Sequence, residues 1–533
     1  MDPELRKWNQ SQRVALAAVF AALIILRLPA LTGPPNLSQD ATEYIDVARN
    51  VAGGEGLTLK IRGYFFGDGF GVPYPAESLR SPLFPLLAGG TYAMIPSRAV
   101  FRWFNFVLFL INVALLSAIL SQVLPGRIAV YSVLLVGMSE PMFLTSIFPW
   151  AEQTALLWLL LALLMACRGL HLRWGAAGAV IEGFVCSLAA LSRPEYLLAG
   201  FFLLAWLFAT KAGKGAIGGF VAGFVFPLTM VSVANLHYHG RTFLPGDYLF
   251  HSRRYSAYFS WGKTDKTGTL NFLAGNWLWI IGRTLRNFVN YVAKLAGWKN
   301  LFALAAALPL VLQKTVRKEY DWRKRVLVLA AAAFLCTYCL VWAGIDRERY
   351  LLPITALWLP FCVYELDRLG NRAQRPWARY ACIAVIAANL PLFAANLIHS
   401  GIVIQKRQMI GERFYADENP AWSNPDFGRL AAWVRSNVGE RNVLCLENPF
   451  LINYETGRAA VMLPEQIAPH DFVEFLAEYG VTYWVQNTVH TKRDPHQLAE
   501  LQRAVERAGA TEVGRCGTYQ IWRIPRESQS KNL

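Results

Sequence analysis

Apolar runs of nearly twenty residues recur along this chain, and no other feature limits its fold so strongly. About 20 consecutive apolar residues are needed to cross a hydrocarbon layer of roughly 30 Å as a helix. The runs fall at 14–31, 101–123, 127–147, 151–167, 175–192, 196–210, 215–236, 298–313, 326–344, 350–366 and 379–399. They predict a polytopic α-helical membrane protein of about 11 spanning helices, up to 13. Only 17% of the 533 residues are charged, against about 25% in a soluble domain. The first run has no small-residue cleavage site behind it, so it reads as an uncleaved span and not as a removed signal peptide.

Two apolar stretches do not fit the spanning pattern. Residues 82–96 are short and bounded by prolines, and read as a re-entrant or interfacial helix. Residues 276–296 interleave Arg283, Arg286 and Lys294 with aromatics, the pattern of a helix lying in the membrane interface.

Charge is divided unequally. Of 52 Lys+Arg and 36 Asp+Glu in the chain, residues 400–533 hold 15 and 16, which leaves 37 and 20 for residues 1–399. The basic excess therefore belongs to the membrane part, where Lys and Arg gather in the inner loops. That distribution argues against nucleic acid as the partner of a chain carrying +16. With the N-terminus inside, the inner connections hold Arg127, Arg168, Arg173, Lys211, Lys214, the cluster 314–325 and the cluster 368–379. The loop 32–99, the long loop 237–297 and the tail 400–533 then lie outside. The tail alternates helix pattern (425–438, 470–479, 497–508) with strand pattern (442–446, 482–486, 519–524), which predicts a C-terminal soluble α/β domain at 400–533.

Six of the eight cysteines lie in apolar runs and read as small buried hydrophobes, the Cys336-x-x-Cys339 pair included. Cys445 and Cys516 lie in the tail, where export would permit a disulfide.

The polar loop after the first span carries the chemistry. Ser38 can cap a helix whose first turn holds Asp40 and Glu43, with Tyr44, Val47, Ala48 and Val51 as its buried stripe. A capped amphipathic helix explains these acids; so does a carboxylate placed outside a membrane as a general base. Arg80, Arg193 and Arg349 stand at span ends on the same side, and His251 with Arg254 lies in the second outer loop. Arginines at span ends are usually snorkelling anchors. Several converging from separate loops also suit a phosphate, which guanidinium binds with two parallel hydrogen bonds.

The run Asp40-x₃-Tyr44-x₃-Ala48-Arg-Asn50-x₃-Gly54-x-Gly56, followed by Arg80-Ser-Pro-Leu-Phe-Pro85, resembles the first outer loop of GT-C glycosyltransferases. The branch it is most similar to is that of protein O-mannosyltransferases and lipid A aminoarabinose transferases. Arg193-Pro194, Arg349-Tyr350-x-x-Pro353 and Tyr454-x-Thr-Gly457-Arg resemble the same branch. The resemblance implies a GT-C transmembrane catalytic domain at 1–399 and a polyprenyl-phosphate-linked sugar as donor. It implies inverting transfer to an acceptor hydroxyl on a lipid, polysaccharide or protein at the outer face of a bacterial inner membrane. Asp40 matches the family's catalytic aspartate. Where many members have Asp-Glu, this chain has Asp40-Ala41, with Glu43 its nearest glutamate. Arg80, Arg193, Arg349, Arg254 and His251 are the candidates for the donor phosphate, and Tyr44 and Tyr350 for substrate. No metal or other cofactor is expected. A transporter or flippase of lipid-linked sugar is the alternative; the lack of paired inverted halves and the gathering of polar groups on one face count against it.

Overall fold

The computed structural model describes residues 8–32, 38–63, 71–76, 80–239, 277–296, 308–316, 320–341, 348–373, 425–464, 467–489 and 494–525, with isolated helical positions at 275 and between 376 and 395. The expected sites His251 and Arg254 lie outside the described residues, as do most of the expected span 298–313 and part of 379–399.

Among the described residues, four helices are long and apolar enough to cross a membrane: Gln10–Thr32, Val100–Leu120, Gly175–Ser192 and Lys214–Tyr238. Gly126–Met138 and Glu140–Ile147 make a fifth if the pair is one span. Helices Glu152–Arg168, Leu197–Ala209, Trp322–Val341 and Leu352–Arg372 pack with them around one continuous apolar core. Along the expected span at 127–147 the chain turns by 58° between its two halves. The cause is Pro141. It has no N–H to give the carbonyl of Gly137 four residues earlier, so the helical ladder cannot continue. Arg27, from the first span and fully buried, donates from Nη2 to that freed carbonyl at 2.6 Å. Its Nε donates to Ser146 Oγ at 2.7 Å, and its guanidinium lies 3.9 Å from the centroid of Phe109.

Helices Gly175–Ser192 and Lys214–His239 approach closely. A Cβ at Gly219 would meet the backbone of Ala176, and one at Gly223 would meet that of Val180. Small residues spaced by four on a membrane helix allow such contact. Helix Trp277–Ala296 exposes Leu278, Ile281, Leu285 and Val289 while burying Arg283 and Asn287; Asn287 donates to the carbonyl of Cys339 at 3.0 Å. Its apolar side faces outward, the reverse of a helix on a soluble core.

Eight short strands occur among the described residues: β1 (Thr58–Leu59), β2 (Ile61–Arg62), β3 (Tyr74–Pro75), β4 (Val443–Leu446), β5 (Ala459–Met462), β6 (Val481–Asn487), β7 (Thr511–Cys516) and β8 (Tyr519–Arg523). β1 pairs with β3. The other six form one sheet in the order β2-β5-β4-β6-β8-β7, with β2, β5, β4 and β6 parallel and β8 and β7 antiparallel. Both faces are covered. Helices Pro469–Glu478 and Pro495–Arg507 bring Phe472, Phe475 and Leu501 to one face. Helices Pro425–Asn437 and Pro449–Thr456 bring Leu430, Val434 and Ile452 to the other. The edge strand β2 belongs to the loop after the first span. The sheet of the C-terminal part is therefore completed by residues about 400 positions earlier, across the expected division at 399/400. Cys445 and Cys516 are both buried. They stand on β4 and β7, with β6 and β8 between them. At about 4.8 Å per strand this separation is too large for a disulfide.

The loop helix Gln39–Ala52 is buried almost all round. Helix Leu83–Met94 lies against it at Gly89, where a Cβ would sit 2.7 Å from the carbonyl of Ala48 and 3.0 Å from the Cβ of Val51. Gly89→Leu is expected to cost about 1–3 kcal/mol through overpacking and to displace the loop helix. Thermal unfolding of the purified protein checks this; an unchanged midpoint would refute the close approach.

Candidate active site

The loop helix begins at Ser38, whose Oγ accepts from the backbone N–H of Ala41 at 3.2 Å and from Trp150 Nε1 at 2.7 Å. This cap fixes the first turn, and with it Asp40 and Glu43, one helical turn apart on neighbouring faces. Asp40 is 8% exposed and Glu43 fully buried.

Two arginines reach these acids from elsewhere in the chain, and a third joins through Glu152. Arg80 comes from the turn before helix Leu83–Met94. Its Nη2 donates to Asp40 Oδ1 at 2.5 Å and its Nε to Glu43 Oε2 at 2.6 Å. Arg349 lies in the single turn Glu348–Leu351 that opens helix Leu352–Arg372, and its Nη2 donates to Asp40 Oδ2. Its Nε lies 3.3 Å from Glu152 Oε1. Arg193 follows helix Gly175–Ser192. It is extended (φ −151°, ψ 127°) because Pro194 behind it disfavours the helical region. That conformation ends the helix and turns the guanidinium toward Glu152 and Glu195; Nη2 donates to Glu195 Oε1 at 2.6 Å.

The result is one connected chain of charge, Glu43–Arg80–Asp40–Arg349–Glu152–Arg193–Glu195. Aromatic faces line it. The Arg349 guanidinium lies 4.6 Å from the Trp150 ring centroid and 5.1 Å from that of Tyr350. Arg193 lies 5.4 Å from Tyr350 and Arg80 lies 5.3 Å from Tyr44. Tyr44 and Tyr350, expected at the substrate, are thus both stacked beneath the arginines. Tyr350 in turn packs on Tyr338, at 5.6 Å between centroids.

Five of the expected groups (Asp40, Glu43, Arg80, Arg193 and Arg349) therefore meet at one place. Two carboxylates of the network, Glu152 and Glu195, carry no role in the sequence reading. Glu195 sits inside the Ser-Arg-Pro-Glu run, and Glu152 opens a helix in an otherwise apolar stretch. An acid beside a span is costly to bury and calls for a cation, which is the signal that points to both. Among the described residues no group of three or more His, Cys, Asp or Glu is placed to hold a metal ion.

Burial and pairing act in opposite directions on Glu43. Loss of water raises its carboxyl, Arg80 lowers it, and burial wins, pushing it up to about 7. An ordinary glutamate titrates near 4.5. The folded protein thus binds this proton more tightly than the unfolded chain does. Its contribution to stability is complete below about pH 4.5 and is lost as the pH rises through about 7. Glu43→Gln should flatten the stability-against-pH curve between pH 5 and about 7. Denaturation midpoints measured across that interval test it, and a wild-type slope retained in the variant would contradict it.

No protein-family model matches the sequence, and no curated protein does. Among solved structures, the chain is similar to ArnT from Cupriavidus metallidurans bound to undecaprenyl phosphate. The identity is 12%, covering 95% of this chain and 97% of that one, with a TM-score of 0.58. It is also similar to the archaeal oligosaccharyltransferase AglB from Archaeoglobus fulgidus in complex with an inhibitory peptide and a dolichol-phosphate. There the identity is 12%, covering 97% of this chain and 75% of that one, with a TM-score of 0.54. At such identities the likeness is one of fold. The GT-C fold expected from the loop motifs is the fold observed.

Proposed function

We propose that this chain, an integral membrane protein with the fold of those two neighbours, is an inverting glycosyltransferase. It moves a sugar from a polyprenyl-phosphate carrier to an acceptor hydroxyl on the outer face of the membrane. One observation carries the reading: Asp40, Glu43, Arg80, Arg193 and Arg349, from four separated segments, converge in a single buried network. The solved structures that share the fold hold undecaprenyl phosphate and dolichol-phosphate, which supports a lipid phosphate as the leaving group.

In this mechanism Asp40 takes the proton of the acceptor hydroxyl. The acceptor oxygen forms a bond to the anomeric carbon as the bond from that carbon to the phosphate oxygen breaks. The electron pair leaves with the polyprenyl phosphate. Arg80 and Arg349 receive the growing negative charge on that phosphate, and Arg193 holds Glu152 beside them. Donor binding requires the phosphate to compete with carboxylates for the arginines. A neutral Glu43 leaves Arg80 freer for it, so donor affinity should weaken as the pH rises through about 7. Glu43→Gln should remove that dependence, and KM for the donor against pH measures it.

The reaction is expected to need no metal, since the acids that would bind one are already paired with guanidinium groups. Activity retained in excess chelator is the corresponding result.

The decisive experiment offers the purified protein a panel of undecaprenyl-phosphate-linked sugars with lipid, polysaccharide and peptide acceptors, and detects products by mass. A glycosylated acceptor together with free undecaprenyl phosphate supports the reading. Movement of intact lipid-linked sugar between leaflets, without cleavage, overturns it in favour of a flippase.

A further inference from the structure

The loop helix has a second polar side, which the mechanism above does not use. Six residues beyond Asp40, or about 9 Å along the axis, Asp46 is buried with both carboxylate oxygens engaged. Oδ2 accepts from the backbone N–H of Lys60 at 2.6 Å. Oδ1 accepts from Asn453 Nδ2 at 3.0 Å. Asn453 is itself fully buried in helix Pro449–Thr456, and its amide also donates to the carbonyl of Arg458 at 3.0 Å. An acceptor on each side leaves the amide one usable orientation.

Asp46 therefore stands at a junction. Through Lys60 it sets the segment whose next two residues, Ile61 and Arg62, pair with Ala460 and Val461 as the edge of the sheet. Through Asn453 it fixes the helix that precedes β5. Neighbouring contacts repeat the attachment. Arg49 Nη1 donates to the carbonyl of Tyr454 at 3.0 Å, and Arg98 Nη1 donates to Glu455 Oε2 at 3.1 Å. The N-terminal end of the loop helix is held by the Ser38 cap and Trp150. The C-terminal half is held by groups from the far end of the chain.

We propose that Asn453 is a positioning residue for Asp40: by holding Asp46, the C-terminal part of the chain sets where the loop helix presents its catalytic face. The inference rests on the glycosyltransferase reading for its kinetic consequence, but not for its structural one.

The two partners can be exchanged. In the double variant Asp46→Asn/Asn453→Asp the amide at 46 keeps an oxygen for the Lys60 N–H and turns its NH₂ toward the carboxylate at 453. Asn453→Asp alone places two carboxylates face to face, and Asp46→Asn alone opposes two amides and weakens the bond that a charge had strengthened. We would measure kcat and donor KM on the full-length protein, with whichever undecaprenyl-phosphate sugar the wild type turns over. Hydrogen exchange of the amides of residues 41–47 would be followed in parallel.

Each single variant is expected to lose about tenfold in kcat, a displacement-sized effect, with donor KM nearly unchanged and protection of 41–47 reduced. The double variant should regain part of both, since the carboxylate at 453 restores the bond to residue 46 but cannot donate to the Arg458 carbonyl. Singles that lower only the thermal midpoint, with kcat and protection at wild-type values, overturn the proposal. So does a double variant no better than the worse single. If protection falls and returns as described in a protein that transfers no sugar, the positioning stands and the glycosyltransferase reading falls.

Discussion

Asp40→Asn is expected to reduce sugar transfer by roughly 10²–10⁴-fold, the range that a positioned general base contributes. The substitution keeps the shape of the side chain and its place in the first turn of a capped helix. It removes the charge and one acceptor oxygen, so the proton of the acceptor hydroxyl has no group to receive it. Donor binding should be kept or strengthened, because the charge of Asp40 no longer competes with the phosphate for Arg80 and Arg349. Single-turnover assays beside donor-binding measurements separate the two effects. Full transfer by the variant would remove Asp40 from the mechanism.

Arg349→Gln should act on stability and rate together. Arg349 is the link between Asp40 and Glu152, and all three side chains are nearly buried. Without it Asp40 keeps only Arg80 and Glu152 only Arg193, and the two carboxylates have no cation between them. Removing one partner of a buried pair typically costs about 3–5 kcal/mol. The rate should fall as well, since the remaining arginines do not replace a cation at Asp40 Oδ2. Arg349→Lys restores the charge but not the planar fork or the stacking on Trp150, so it should recover stability in part and activity less. Adding Asp40→Asn to Arg349→Gln should relieve some of the destabilisation, because it removes one of the two facing anions. Thermal unfolding of the four proteins gives the coupling directly. Strict additivity would show that the two side chains do not act on each other.

The parts of this structure that were legible in the sequence are those written in local pattern. Apolar runs marked the helices, and the alternation in the tail marked β4, β6 and β8. Ser38 followed by acids marked the capped loop helix. Arg193 before Pro194 marked a helix end with a guanidinium turned aside. The site residues stand out because acids and arginines are unusual beside the outer ends of spans in a membrane chain. What was missed depends on distant partners. Ile61 and Arg62 form a strand only because β5 lies beside them, and two residues have no periodicity to read. Glu152 and Glu195 look like ordinary acids in the first turn of a helix until Arg193 and Arg349 are seen to meet them. Pro141 and Arg27 were each visible, one inside an apolar run and the other near the end of one. Only the folded chain shows that the second answers the carbonyl freed by the first.

The pairing of β2 with β5 also has a consequence in time. A ribosome adds roughly 5–20 residues per second, so residue 62 waits on the order of 20–80 s before residue 461 exists. Throughout that interval the loop helix lacks Asn453, Tyr454 and the sheet edge that later hold its far half. The far half of the loop helix gains these supports only after residue 461 has been made. A truncated chain ending before residue 443 would carry every one of the paired acids and arginines and still lack the element that sets their position.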